Sequence, residues 1–423
     1  MSQTVSNETI HAPVHLWGAG PAVRAAIITT FVLSFALRLY LAAMATPAFS
    51  SDARDYRDLA QSLLSGHGYA QHYEGETEAF QGFTFRAFRS PGYPATLALL
   101  HGVCGWNDHA YLGLNIVADL VTQLCYLLVA ARLFGAWPAV FVQALLGLHV
   151  LWMPNPMTES LHTALFGVLA VLLVLGTAVR SRIGTLAFGV VAAAALFVRP
   201  VTLCVYPVLG WRILRENRGA QRWLLLALAV LPAAAGVGAW TVRNYRLFGE
   251  IVPLTTNLGH HNAWDFGLHA DHAFAELRAR GLNEAQINDE LVRIEREIAW
   301  AHPLPALVTY VQRAGQLFSL VPAWEVENLW GAVLRPENST AGKLFHALYY
   351  QYYVTYALAA AGAVVLALRR RKLGGLWLLA GTYIILHALV SRGDIRLLAP
   401  LYPVMCVLAG GLLAVGRKSR VQA

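Results

Sequence analysis

About ten long apolar runs, separated by polar stretches or knots of arginine, dominate the 423-residue chain. They cover approximately residues 25–46, 108–131, 136–153, 158–179, 183–198, 200–214, 222–241, 345–368, 374–391 and 398–416. A helix of roughly 20 apolar residues crosses the hydrocarbon of a bilayer, and shorter helices serve where they pack inside protein. With 57% hydrophobic and only 13% charged residues, one soluble domain of this length would expose large apolar patches. The expected fold class is therefore an all-α polytopic integral membrane protein.

The charges orient it. With the N-terminus in the cytoplasm, Arg132, Arg180 with Arg182, the group Arg212, Arg215, Arg218 and Arg222, the run 369–372 and the run 417–420 all fall on the inner side. A net charge of +8 is thereby explained by inner loops, and nucleic acid is excluded as a partner. The first 20 residues lack the basic-then-apolar pattern of a cleaved signal, so the run 25–46 is expected to stay as an anchor. The expected organisation is a cytoplasmic segment 1–24, a transmembrane domain 25–416 and a cytoplasmic tail 417–423. Two long segments, 47–107 and 242–344, then face the exterior, with smaller exterior turns near Pro154, Arg199 and Gly393.

Some stretches resist assignment as spans. Pro305 to Trp324 is apolar but carries Arg313 and Gln316, and counting it as a span would put the 369–372 cluster outside; an interfacial or re-entrant helix is expected. Pro91 to Gly105 is short for a span. Asn283 to Trp300 places Ile287, Leu291, Ile294 and Ile298 at helical spacing, which predicts a surface helix with a solvated charged face. Trp106, Trp152, Trp240 and the group Tyr349, Tyr350, Tyr352, Tyr353 and Tyr356 fit an aromatic belt, with a sugar-stacking platform as the alternative for the tyrosines. Cys104, Cys125, Cys204 and Cys406 are scattered, three of them within apolar runs, and imply neither a disulfide framework nor a zinc site. The histidines of 260–261 and 269–272 have the composition of a metal site, but no metal-binding spacing organises them; a solvated loop is expected.

Chemistry concentrates at the exterior helix ends. Asp52 follows the first span, Arg89 lies in the same loop, Glu159 opens the fourth span, Arg199 sits between the fifth and sixth, Arg243 ends the seventh and Arg396 precedes the last. A carboxylate can take a proton from an alcohol, and arginines can neutralise a departing phosphate. The plain alternatives stand beside this. Asp52 suits an N-cap, Asp55 and Asp58 suit first-turn acids, Glu159 suits a helix start, and Arg199 and Arg243 suit interface anchors. Deeper, Asn115, Asp119 and Gln123 recur every fourth residue and form one stripe. Asp119 lies at the depth of Arg38, and the two are expected to form a structural pair.

The order of motifs resembles that of GT-C superfamily glycosyltransferases of the protein-mannosyltransferase and aminoarabinose-transferase type. The resemblance rests on Asp52-Ala-Arg-Asp-Tyr56, Gly66-His-Gly68-Tyr69, Arg89-Ser-Pro91-Gly-Tyr93-Pro94, Pro156-Met-Thr-Glu159, Arg199-Pro200, Arg243-Asn244-Tyr245, Thr256-Asn257-Leu258-Gly259, His302-Pro303 and Arg396 before Pro400 and Pro403. It implies a GT-C-like bundle of about ten transmembrane helices whose exterior loops carry juxtamembrane helices. It further implies a polyprenyl-phosphate sugar donor, with Asp52 as the catalytic acid, because Tyr56 follows it at the family's spacing. Asp55, Tyr56, Glu159 and Asn257 would support it, and Arg89, Arg243, Arg199 and Arg396 would bind donor phosphate. Arg89 with Ser90-Pro91 departs from the lysine and Pro-Pro pair of the aminoarabinose transferases, and the two cations are not interchangeable.

The implied reaction moves a single sugar, with inversion, to a hydroxyl of a protein, lipid or polysaccharide acceptor on the exterior side. A divalent cation is compatible with the scheme but not required. A transporter or flippase of lipid-linked sugars, and a polymerase or ligase of lipid-linked glycans, remain the alternatives. The alanine- and arginine-rich composition suggests a bacterial inner membrane, and Asn338-Ser-Thr340 is an exterior glycosylation sequon.

Overall fold

In the computed structural model, the described residues are 20–45, 52–75, 77–107, 109–153, 156–260, 266, 269–318, 340–371, 373, 375–390 and 395–416. The expectations for Pro154, Gly393, Asn338, His261 and the tail after 416 lie outside them.

The first helix, α1 (Pro21–Met44), shows how the apolar runs are used. Its 24 residues reach about 36 Å at 1.5 Å per residue, enough to cross a bilayer. Ile28, Val32, Leu33, Phe35 and Leu39 are exposed, while Ser34, Arg38 and Leu41 form a buried stripe one helical turn apart. Three further helices are long and apolar enough to span: α4 (Ala110–Phe134), α10 (Gly219–Phe248) and the stretch Ala347–Leu368. Five shorter apolar helices accompany them: α5 (Ala136–Leu148), α6 (Glu159–Val174), α8 (Arg182–Val198), Leu376–Val390 and Tyr402–Ala414. The expected span 200–214 is instead a 3₁₀ turn, Pro200–Cys204, followed by the 12-residue helix α9 (Val205–Glu216), which reaches only about 18 Å. A short helix α7 (Thr177–Arg180) precedes α8. The bundle closes with α14 (Thr340–Tyr349), α15 (Gln351–Leu368), α16 (Leu376–Val390) and α17 (Tyr402–Gly410).

One continuous core joins these helices, running from Leu112, Tyr126 and Val129 on α4 through Phe166 and Leu169 on α6 to Val208 on α9 and Cys406 on α17. Cys125, Cys204 and Cys406 are buried in it, while Cys104 is exposed. Close helix approach needs small residues here: a Cβ on Gly189 of α8 would lie 2.7 Å from the Ala229 carbonyl oxygen of α10. Trp152 is buried at the bundle end, so it is a core residue rather than a belt residue. Tyr349 and Tyr352 are buried as well, Tyr352 stacking on Tyr402 at 4.6 Å and Tyr402 on His149 at 3.8 Å, whereas Tyr350 is exposed. The tyrosine group therefore divides between packing and surface.

The deep polar stripe is a set of interhelical ties. Arg38 Nε donates to Asp119 at 3.0 Å, and its remaining nitrogens donate to Ser34 Oγ at 2.6 Å and to the carbonyls of Gly147 at 2.9 Å and His149 at 2.7 Å. Asn115 donates to the Met153 carbonyl at 2.8 Å, and Gln143 to Gln123 at 2.9 Å. α1, α4 and α5 are thus clamped at depth, and Arg38 and Asp119 pair as expected from their positions.

A smaller cap sits over one end of the bundle and is built from two distant stretches. The first contributes α2 (Asp52–Leu64), a two-stranded ribbon of β1 (Gln71–His72) and β2 (Thr84–Phe85), and α3 (Gly92–Cys104). The second contributes α11 (Ala270–Ala279), α12 (Glu284–Ala301) and α13 (Pro303–Gln316). Phe80, Phe85 and Phe88 of the first interlock with Phe274, Leu277, Ile287 and Leu291 of the second as a separate hydrophobic core. The expected surface helix thus gives Ile287 and Leu291 to that core, and a capping box of Asn283 and Gln286 sets its start. Its charges divide too: Glu284 and Glu295 are buried, while Arg293 pairs with Glu290 and Glu297 in solvent. α13 packs against α16, buries Ala306 and Arg313, and exposes Leu304, Leu307, Val308 and Val311, the amphipathic form expected of an interfacial helix.

Replacing Arg38 by Leu strands Asp119 and takes the arginine donor from the carbonyls of Gly147 and His149. The variant should lose about 3–5 kcal/mol of stability. Adding Asp119→Leu should recover only part of it, because the carbonyls of Gly147 and His149 stay unpaired. Thermal unfolding of the purified protein and both variants in one detergent would measure this.

Candidate active site

The first piece of the site is the start of α2. Asp52 opens that helix and Asp55 lies one turn on, so the helix dipole favours both acids, and both carboxylates point towards the same arginine. Arg89 Nη2 donates to Asp52 at 2.6 Å and to Asp55 at 2.7 Å, and its Nε reaches Asp55 at 2.9 Å. Asp55 is almost fully buried and also accepts from Gln71 Nε2 at 2.6 Å. It fixes Arg89, while Asp52 keeps about a quarter of its side chain exposed. Burial and then the charges of Asp52 and Asp55 act in opposite senses on Arg89, and the two acids win, raising its pKa further.

The second piece comes from the bundle. Pro200 cannot continue α8, so Arg199 takes an extended conformation, φ −146° and ψ 121°, at the helix end. Its side chain reaches the start of α6, donating to Thr158 Oγ1 at 2.6 Å and to Glu159 at 2.5 Å. Burial works against the Arg199 charge and Glu159 restores it, leaving its pKa raised. Below this pair, His162 shares a hydrogen bond with Thr202 at 2.9 Å that fastens α6 to the turn after Arg199.

Arg396 joins the two pieces. It lies in a 3₁₀ turn, Ile395–Leu398, held by a hydrogen bond from Tyr383 on α16 to the Leu397 carbonyl at 2.5 Å. Its Nη1 stands 3.5 Å from Asp52 and 3.3 Å from the sulfur of Met157, just before Glu159. The Tyr56 ring packs edge-on to Tyr93, with centroids 5.1 Å apart, and Arg89 lies over its other side. Burial, opposed by Arg89, raises the Tyr56 hydroxyl to about 12. Tyr56 therefore holds its proton more tightly than a free tyrosine.

Asp52, Asp55, Tyr56, Arg89, Glu159, Arg199 and Arg396 thus converge, although Asp52 and Arg396 stand at opposite ends of the chain. The described contacts of Arg243 lie elsewhere. It donates to the carbonyls of Arg86 at 2.7 Å and Tyr69 at 2.8 Å and stacks over Trp240 at 4.5 Å, so it holds the Arg89 loop rather than facing Asp52. Asn257 accepts from Thr255 at 2.8 Å in a turn whose neighbour, Thr256, bonds to the Ala87 carbonyl at 3.0 Å. His260, from the histidine-rich loop, is largely buried and pairs with Asp271 at 3.0 Å against Phe80 and Phe88, so it belongs to the cap core rather than to a solvated loop.

Gln71 and Glu284 carry weight that the sequence did not flag. Neither stands in a charged motif, and the periodicity of α12 marks Glu284 only as a first-turn acid. Among the described residues, no group of three or more His, Cys, Asp or Glu side chains gathers as a metal site. The acids present here face guanidinium groups instead of one another, which is not the donor set of a divalent-cation cage.

The fold and this cluster define a helical membrane protein with an acid–arginine site at one end of its bundle. No protein-family model and no curated protein matches the chain. Among solved structures, it is similar to the oligosaccharyltransferase of Archaeoglobus fulgidus in its apo form, at 12% identity and a TM-score of 0.55 over 95% of this chain and 51% of that one. The chain thus spans about half the length of that protein. Weaker likenesses are to the same enzyme tethered to an acceptor peptide containing an NVT sequon, with TM-score 0.47, 12% identity and coverage of 94% and 50%. Another is to ArnT of Cupriavidus metallidurans bound to undecaprenyl phosphate, with TM-score 0.42, 11% identity and coverage of 92% and 78%. The helical membrane bundle expected from the sequence is found, with a fold similar to that of the apo oligosaccharyltransferase, but of the about ten expected spans only four helices among the described residues are long and apolar enough to cross a membrane.

Gly92 sets the spacing between cap and bundle: a Cβ there would lie 2.6 Å from the Phe197 carbonyl carbon. Gly92→Ala should force α3 away from the end of α8 and cost about 1–3 kcal/mol. Gly113→Ala, in a helix where a Cβ meets nothing within 4 Å, should be neutral or stabilising. Comparing the two melting midpoints tests the close approach.

Proposed function

We propose that the protein is a membrane glycosyltransferase that moves a single sugar from a polyprenyl-phosphate donor to an acceptor hydroxyl on the exterior face of a bacterial inner membrane. The observation that carries this reading is the placement of Asp52. It is the most open acid of a cluster whose arginines lie at 2.6 and 3.5 Å from its two oxygens, at the end of a bundle sharing the fold of an oligosaccharyltransferase.

The chemistry follows from that placement. Asp52 accepts the proton of the acceptor hydroxyl as its oxygen forms a bond to the anomeric carbon. The bond from that carbon to the phosphate oxygen breaks on the opposite face, and the electron pair leaves with the polyprenyl phosphate. Arg89, Arg396 and Arg199 stabilise the charge growing on that phosphate. Asp55 keeps Arg89 in place, and neutral Tyr56 packs beneath it. A lipid-borne donor fits a site at a membrane surface, where the polyprenyl tail confines the sugar. The acceptor is a protein, lipid or polysaccharide hydroxyl. En bloc transfer or polymerisation of lipid-linked glycans would use the same carboxylate and cations, and differs in product mass. A transporter would need no carboxylate to take a proton from an acceptor hydroxyl.

The test incubates the purified protein and its Asp52→Asn variant with a panel of polyprenyl-phosphate monosaccharides and a membrane extract, following free polyprenyl phosphate. Asp52→Asn should fall by about 100- to 10,000-fold while keeping its melting midpoint. Near-normal release by the variant would remove Asp52 from the chemistry. Product mass separates one sugar from a whole glycan, and no release with any donor points to transport or to glycan transfer. Arg89→Ala should chiefly raise the donor concentration needed for half-maximal rate.

A further inference from the structure

The segment 86–89, which carries Arg89, has no regular structure of its own. Its backbone is gripped from two sides. Arg243, near the end of α10, donates to the Arg86 carbonyl. On the other side the Glu284 carboxylate, 198 residues along the chain, accepts the backbone N–H of Arg86 at 2.6 Å and of Ala87 at 3.0 Å. Glu284 also accepts the Thr256 hydroxyl, while the Thr256 backbone N–H returns to the Ala87 carbonyl at 3.0 Å. Glu284 is 4% exposed and Thr256 equally buried. A buried carboxylate is costly unless its oxygens are satisfied, so a protein retains one where it does a job. Here both oxygens are spent on the main chain two residues before Arg89. A carboxylate that accepts two consecutive N–H groups fixes the direction of the peptide planes as well as their position.

We propose that Glu284 is a positioning residue, which sets the backbone of 86–87 so that Arg89 is presented to Asp52 and to the donor phosphate. The cap core then has a purpose beyond covering the site. α12 delivers Glu284, and the interlocked Phe85, Phe88, Ile287 and Leu291 hold it in register with the loop. Every contact of the carboxylate is to a donor, so the neutral amide of Glu284→Gln keeps the volume and one acceptor, but turns its NH₂ towards a backbone N–H. Burial raises the Glu284 pKa against the pull of Thr256 and the two amides, and the exchange of the bundle peptides reports whether the variant folds.

This proposal rests on the reading of Arg89 as a donor ligand, and its test has two arms that fail separately. In the first, amide hydrogen exchange of the full chain in detergent is followed by mass spectrometry. Glu284→Gln should speed exchange about tenfold or more in peptides covering 86–89, and leave peptides of α4 and α6 unchanged. Thr256→Val should shift the same peptides less. Unchanged exchange at 86–89, or an equal rise throughout the bundle, overturns the proposal.

The second arm is a double-mutant cycle on polyprenyl phosphate release. Glu284→Gln alone should raise the half-saturating donor concentration in the manner of Arg89→Ala. The double variant should be no slower than Arg89→Ala alone, because Glu284 acts through that arginine. Losses that multiply overturn the proposal. If Arg89→Ala leaves release unaffected, the assignment of Arg89 fails, and the exchange arm alone decides whether Glu284 holds the loop.

Discussion

A backbone in hydrocarbon must satisfy its own hydrogen bonds, and that constraint governs where this chain can hold chemistry. The bundle is accordingly helical, and its deepest charge, Arg38, is surrounded by acceptors: one carboxylate, a hydroxyl and the carbonyls at the end of α5. A charge so fully answered has nothing left to offer a substrate. Extended or irregular backbone is tolerated only beyond the helix ends, and there Arg199, Arg396 and the Arg89 loop are found. The same rule that makes the interior inert therefore concentrates reactive groups at one end.

The cap solves the complementary problem. A loop rich in polar residues cannot position an arginine to a few tenths of an ångström by itself, since each ordered residue costs backbone entropy of about 1–2 kcal/mol. Two segments roughly 200 residues apart share one aromatic core, and that shared core supplies the compensating burial. It also brings rigid partners to flexible backbone: Arg243 from a membrane helix, Glu284 from a cap helix and Tyr69 through its hydroxyl on the Arg89 carbonyl at 2.8 Å. Site residues at the two ends of the sequence meet because helix ends and cap are built against each other.

Much of this was legible in the residues. Apolar run lengths located the bundle, a fourfold spacing on α4 and a depth count paired Arg38 with Asp119, and the order of short motifs gathered Asp52, Arg89, Glu159, Arg199 and Arg396. The failures share a cause. Trp152, Tyr352, His260 and Glu284 were read by type and by local neighbours, as belt, belt, loop and solvated face, yet each is buried by residues far along the chain. Periodicity reports which face of a helix is apolar and is silent about what covers it. A buried acid at the first turn of an amphipathic helix has the same local sequence as an exposed one. The 200–214 run misled in another way, since its first turn, Pro200–Cys204, is a 3₁₀ segment and only Val205–Glu216 is α-helical, too short to span.

The charge balance of the cluster constrains how a donor is received. Among the described residues, Asp52, Asp55 and Glu159 pair with Arg89, Arg199 and Arg396, so on the proposed reading a donor phosphate competes with carboxylates for these arginines. The pairs differ in what they would lose. Arg89 and Arg199 are only 11% and 14% exposed and held at 2.5–2.7 Å, whereas Arg396 stands 3.5 Å from Asp52 with a quarter of its side chain exposed. Attraction weakens with distance and with solvent, so on the proposed reading Arg396 is the arginine that phosphate takes at least cost. Its transfer would take a guanidinium group away from Asp52, and a carboxylate that loses a neighbouring positive charge becomes a stronger base. Donor binding would then prepare the base for the acceptor.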